Sequence, residues 1–169
     1  MNKTNYNKIK NELPDIFEKV KSDVNKVYGQ HRAGLNLGLA DLGIFKGAFI
    51  GGMHFYPGND IVMNRKPLKL LIGQHNHEII WAYTYHILLH EYLHSLGILN
   101  ERKCRKATLE VTEAIFEEEN HPAVVMAKKG IGAYFKNLEF IYAPPNRRPQ
   151  GVSVEYVQGF DKNSYSYYS

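Results

Sequence analysis

Apolar positions change their period several times along this chain, and each change marks a structural element. Ile9, Leu13, Ile16, Val20, Val24 and Val27 recur at three- and four-residue intervals, the spacing of one face of an α-helix. The pattern predicts an N-terminal helix over 7–28, starting or kinking at Pro14 and stopping at Gly29. Residues 33–72 read as a sheet region in which glycines alternate with apolar and aromatic residues. Gly47 to Tyr56 reads as a strand bent at Gly51-Gly52, Pro57-Gly58-Asn59-Asp60 as a turn, and Ile61 to Asn64 as a second strand. Together they predict an antiparallel hairpin over 47–64. Pro67 breaks that pattern, and Leu68 to Ile72 fits either helix or strand.

The strongest helical segment covers 78–97. Ile79, Ile80, Trp81, Tyr83, Ile87, Leu88, Leu89, Tyr92, Leu93 and Leu96 occupy most of its circumference, and a helix apolar nearly all round is buried. Asn76 is suited to cap its start and Gly97 its end. A following helix is expected over 103–119, with Cys104, Ala107, Thr108, Val111, Ala114 and Ile115 inward, and another from Pro122 to Phe135. The helical part extends over 103–142. In the tail, 143–169, Ala143 to Pro149 reads as loop. Val152, Val154 and Tyr156 alternate like a half-exposed strand, and Asn163 to Ser169 frays.

Composition sets the class. Hydrophobic residues make up 44% and charged residues 22% of 169, as in an ordinary globular chain, and a single domain over 1–169 accommodates them. Lys and Arg total 21 against 17 Asp and Glu, a net charge of +4. That excess is too small to demand a nucleic-acid partner, and a solvated surface explains it. Cys104 is the single cysteine, so neither an internal disulfide nor a Cys-x-x-Cys zinc site can form. The N-terminus has no apolar signal core, and no run approaches the ~20 apolar residues of a membrane span. The expectation is a cytoplasmic protein with no membrane association and an unspecified oligomeric state.

The chemistry lies within the buried helix, in His90-Glu91-Tyr92-Leu93-His94. Residues four apart on a helix differ by about 40° in direction, so both imidazoles point to one side and can share one zinc ion. Glu91, offset by about 100° from His90, stands beside such an ion, where a carboxylate can take a proton from zinc-bound water. Leaving two imidazoles and a carboxylate uncompensated in an apolar helix would cost several kcal/mol, and a metal removes that cost. The structural alternative is a pair of core histidines bonded to backbone. His86 continues the row, but three ligands from one straight helix span about 12 Å, so it is read as a packing or supporting residue. His75 and His77 are read as surface histidines.

At these residues the chain resembles the zincin metallopeptidases, whose signature is His-Glu-x-x-His. The resemblance covers about 20 residues firmly and some 70 loosely. It implies an α+β fold: a small, twisted, mainly antiparallel sheet packed on an active-site helix, with further helices C-terminal. It also implies an edge strand along the substrate cleft, for which the strand at 61–64 or the one before it is the candidate. The metzincin branch extends its motif to a third histidine, and here Gly97 is in place but Asn100 stands at the ligand position. The gluzincin branch uses a glutamate on the next helix. Glu113, in Thr112-Glu113-Ala114-Ile115-Phe116, matches that branch best, with Glu110, Glu117, His121 and Asn100 as alternatives.

The implied activity is zinc-dependent hydrolysis of peptide bonds in a peptide or protein substrate. His90, His94 and Glu113 hold Zn2+, and Glu91 is the general base. Tyr134, Tyr142, Tyr156 and Arg147 are available to stabilise an oxyanion, and the sequence does not rank them. The rival readings are an inactive or latent zinc-binding protein of the same fold, and a zinc hydrolase or binder acting on RNA. The basic balance and Arg147-Arg148 suggest the latter, but Glu91 at the peptidase base position argues against it.

Overall fold

A computed structural model describes residues 2–45, 48–54, 57–135, 139–141 and 152–160. Among the described residues the architecture is α+β, with five α-helices, a small mixed four-stranded sheet and a second, three-stranded one. Helix α1 (Asn2–Tyr28) carries the predicted stripe. Ile9, Leu13, Ile16, Val20 and Val24 are buried, and Pro14 is accommodated inside the helix. Strands β1 (Asn36–Ala40), β2 (Ile44–Phe45), β3 (Ala48–Ile50), β4 (Gly52–His54) and β5 (Asp60–Asn64) follow. Helices α2 (Arg65–Gln74), α3 (His77–Ser95), α4 (Glu101–Ile115) and α5 (Pro122–Lys129) come next, then strands β6 (Glu139–Ile141) and β7 (Glu155–Tyr156).

The main sheet has the order β4-β5-β1-β7. The hairpin expected over 47–64 is present as the antiparallel pair β4–β5, with His54 opposite Ile61. The sheet is mixed rather than mainly antiparallel, because its longest pairing, β1 with β5 from Asn36–Asp60 to Ala40–Asn64, is parallel. Strand β5 lies between β1 and β4, so it cannot receive a substrate strand. Strand β4 stands at the sheet edge.

The expected sheet region of 33–72 ends earlier, because 65–74 is helix α2. Pro67 starts a helix here rather than breaking a strand. It lies in the first turn, where backbone N–H groups have no intrahelical acceptor to lose. Asn64 sets this corner. Its side-chain oxygen accepts from Lys66 N and Leu42 N, and its amide donates to Ile50 O at 2.9 Å.

Helix α3 is the centre of the molecule. Its residues from Ala82 to Ser95 are all buried, and it packs against α1, α2, α4, α5, β4 and β5. Asn76 caps its start by accepting from Ile79 N, as the sequence suggested. Tyr85 Oη donates to the buried Asp23 of α1 at 2.7 Å, fixing the two helices together. Against β4 the approach is close. A Cβ on Gly52 would lie 2.9 Å from Ile87 Cγ2 and 3.0 Å from Val62 O, so only glycine fits that contact. The helix expected from Pro122 to Phe135 ends at Lys129, where Gly130 adopts φ 89°. No helix among the described residues is long and apolar enough to cross a membrane. The proline-rich loop at 143–149 and the terminal segment 163–169 lie outside the described residues.

Candidate metal centre

His90 and His94 project from one face of α3, each 1% exposed, with ring centroids 4.7 Å apart and ring planes nearly perpendicular. The helix ends one residue after His94. Gly97 takes φ 101°, a left-handed conformation open to glycine, and its N–H bonds to His94 O at 2.9 Å. The chain then reverses into α4. Asn100 caps α4 by accepting from Lys103 N at 3.0 Å, so this residue is a helix cap. Its neighbour Glu101, in the first turn of α4, returns to the histidines.

The Glu101 carboxylate spans both rings: Oε1 lies 2.8 Å from His94 Nε2 and Oε2 lies 3.2 Å from His90 Nε2. Burial alone would raise its pKa, but the two imidazole contacts outweigh that and hold it down at about 2. His94 is shifted the other way. Burial lowers its pKa, yet the bond to Glu101 and the nearby carboxylate of Glu91 raise it overall. His90 is lowered, chiefly by burial.

Proton positions follow from the partners. His94 Nδ1 lies 2.7 Å from Ile98 O, and a carbonyl can only accept, so Nδ1 carries the hydrogen. Cys104, buried on α4, donates its thiol hydrogen to His90 O at 3.3 Å, and its sulfur lies 3.7 Å from His90 Nδ1. A sulfur whose hydrogen is engaged accepts from Nδ1–H, which leaves His90 Nε2 with a lone pair. Both rings thus direct Nε2 at one carboxylate. Two lone pairs and an anion in contact require a cation among them, either a proton or a metal ion. Imidazoles whose Nδ1–H is held by another group are the usual form of metal-ligating histidine.

A second donor set shares the histidines. His90, His94 and Cys104 are all buried, with one donor atom from each within 4.8 Å of the others, and this group can hold a metal ion. The two sets compete for the faces of His90. Glu101 meets Nε2 and Cys104 meets Nδ1, so one ion on Nε2 leaves Cys104 behind the ring as its hydrogen-bond partner. Burial pushes the Cys104 thiol pKa up, further from the thiolate that a ligand requires.

Glu91 is 3% exposed, and its Oε2 has no hydrogen-bond partner among the described residues. Burial, only partly opposed by the charge on His94, pushes its carboxyl up to about 8. Glu113 lies away from this centre, exposed and paired with Lys128 at 3.3 Å. Glu110 accepts from Tyr28 Oη, Glu117 is exposed, and His121 caps α5 by accepting from Ala123 N. His86 faces a separate cavity lined by Arg105, Lys128 and Lys129. His77 is exposed and pairs with Glu12, whereas His75 is half-buried against Tyr134 and Phe135. Tyr156 donates to Asp60 at the far strand of the main sheet, and Tyr142 and Arg147 lie outside the described residues.

Sequence reasoning thus brought His90, Glu91 and His94 together but overlooked Glu101 and Cys104. A signal for Glu101 was present. It follows a strong N-cap residue just beyond a glycine stop, where a short turn folds the next helix back on the last. No protein-family profile matches this chain, and searches among characterised proteins and among solved structures returned no match.

Proposed function

We propose that this chain is a zinc-dependent hydrolase of peptide bonds, with His90, His94 and Glu101 holding the ion and Glu91 as general base. One observation carries the reading: two buried imidazoles present Nε2 to a single carboxylate beside a buried glutamate, an arrangement of donors that a divalent cation satisfies. Two imidazoles and one carboxylate are a common catalytic zinc set, and they leave a position for water or substrate. When bound, zinc acidifies water and polarises a carbonyl. The remaining steps fall to the chain. Glu91 accepts a proton from the attacking water and returns it to the leaving nitrogen as the amide carbon–nitrogen bond breaks. Strand β4, at the sheet edge and packed on α3 at Gly52, is suited to align an extended substrate by strand addition.

The near-complete burial of His90, Glu91 and His94 favours a second reading, a zinc-holding protein whose centre is closed to substrate. Metal affinity and hydrolysis of casein or a mixed peptide library separate the two. Glu101→Gln is expected to weaken zinc binding by more than about a hundredfold, whereas Glu113→Gln leaves it unchanged. Cys104→Ser is expected to weaken it by no more than about the ten- to hundredfold typical of a lost supporting contact. The opposite ranking of Glu101 and Cys104 would transfer the site to the cysteine set. Glu91→Gln should keep its zinc and lose hydrolysis. A zinc-loaded wild type without activity supports the closed site.

A further inference from the structure

A third imidazole stands beside this centre, contributed by the sheet. His54 ends β4 and is 1% exposed. Its direction follows from strand alternation. A Cβ on Gly52 would meet Ile87 and Glu91 of α3, whereas Met53 packs with Ala40 and Val62 on the other face. His54 therefore shares the α3 face with Gly52. Of the α3 side chains, a Cβ at Gly51 would meet Ile87 and Tyr83, and one at Gly52 would meet Ile87 and Glu91, so the strand advances along α3 toward His94.

The tautomer of His54 is fixed. Nδ1 lies 3.0 Å from the carbonyl of Asp60, so Nδ1 carries the hydrogen and Nε2 carries a lone pair. Nε2 is buried and has no hydrogen-bond partner among the described residues. The segment carrying the ring is held on both sides. Its strand pairs with β5, and the turn that follows is bound by Arg32, which donates to Pro57 O, Gly58 O and Asn59 Oδ1 at 2.7–3.0 Å. A buried acceptor without a donor is costly, and a donor from outside the chain removes the cost. Burial, with the positive charges of Arg32 and His94 nearby, keeps the ring neutral by pushing its pKa down to about 4.

We propose that His54 Nε2 accepts a hydrogen bond from the group occupying the open position of the ion, and so favours ligands that carry a proton there: water at rest, and the N–H of a bound amide or hydroxamate. This rests on the metal reading above. His90, His94 and Glu101 already supply the usual three protein ligands of a catalytic site, so His54 is assigned to the incoming group and not to the ion. Its role is to position and select.

The test uses the full chain loaded with Co2+, whose visible absorption reports the ion's ligands without any turnover. Acetohydroxamate, which carries an N–H, and azide, which carries no hydrogen, are titrated against wild type, His54→Phe and His54→Gln. His54→Phe is expected to bind Co2+ within about threefold of wild type and azide equally well. It should bind acetohydroxamate about tenfold more weakly, the loss of one hydrogen bond. His54→Gln, whose amide oxygen again offers a lone pair, should recover part of that affinity and serves as the folded control. Equal acetohydroxamate binding by wild type and both variants would overturn the proposal. A tenfold or greater loss of Co2+ affinity in both variants would also overturn it, making His54 a ligand of the ion. Wild type that binds no Co2+ would remove the metal reading itself, an outcome distinct from either.

Discussion

Glu91 shows what a single side chain contributes at this centre. Its carboxyl is buried, and burial pushes its pKa from 4.5 to about 8 against the opposing charge of His94. Its folded value is therefore raised above the unfolded one. The associated stability is fully present below pH 4.5 and is lost as pH rises toward 8. In metal-free protein, Glu91→Gln should remove this dependence. The variant is expected to match wild type at low pH and exceed it by on the order of 2–3 kcal/mol at pH 7. Urea denaturation at pH 4.5 and 7 checks this, and parallel behaviour of the two proteins at both pH values would refute it. At this scale the sequence was legible where helix periodicity determines direction, so the four-residue spacing of His90 and His94 placed both rings on one side. At Glu101 only the glycine stop and the Asn100 cap hinted at the site. That carboxylate reaches the histidines through a reversal of the chain at Gly97, and helix periodicity carries no information across a break. Glu113 fitted the spacing that the gluzincin resemblance implies, but its place on α4 turns it toward Lys128.

Among the elements, the relation of hairpin to helix matters most to the site, and one arginine maintains it. Arg32 lies in the connection between α1 and β1. Its guanidinium donates to Ser95 O at the end of α3, 2.6 Å away, as well as to the turn between β4 and β5. It satisfies the Ser95 carbonyl at a helix C-terminus, where carbonyls lack intrahelical donors, and ties the edge strand to the metal helix. Arg32→Met retains most of the aliphatic stem and loses these bonds. It is expected to lower stability by about 2–3 kcal/mol, measured by urea denaturation, while far-UV circular dichroism stays unchanged. A loss below about 0.5 kcal/mol would show the clamp to be passive. The hairpin was legible from Pro57 to Asp60 and its flanking apolar runs. The parallel pairing of β1 with β5 was not, because it joins residues separated by a whole hairpin and no local pattern encodes it. Helix α2 was obscured by Pro67, which is compatible with a helix's first turn as well as with a strand's end.

For the whole molecule, a cation at the His90–His94–Glu101 junction would link α3 to α4 and couple folding to metal. A ligand that binds only the folded state stabilises it by mass action, by about 2.7 kcal/mol at a hundredfold excess over Kd. Zinc is therefore expected to raise the melting temperature, and a chelator to reverse the rise. Protons compete for the same nitrogen. Because the pKa of His94 is raised in the metal-free fold, the zinc-induced rise should start to shrink on acidification before pH falls to ~6.5, the unperturbed histidine value, and vanish in acid. A thermal shift independent of pH from 8 to 5 would exclude these imidazoles as ligands. The elbow at Gly97 has one more consequence. All three proposed ligands fall within residues 90–101, so the loop closed by the ion is short and its entropic cost small. Contacts this local form early in a folding reaction. The α3–α4 elbow would then assemble around its ion before β1 finds β5, and apo and zinc-loaded chains would differ most in the earliest phase of refolding.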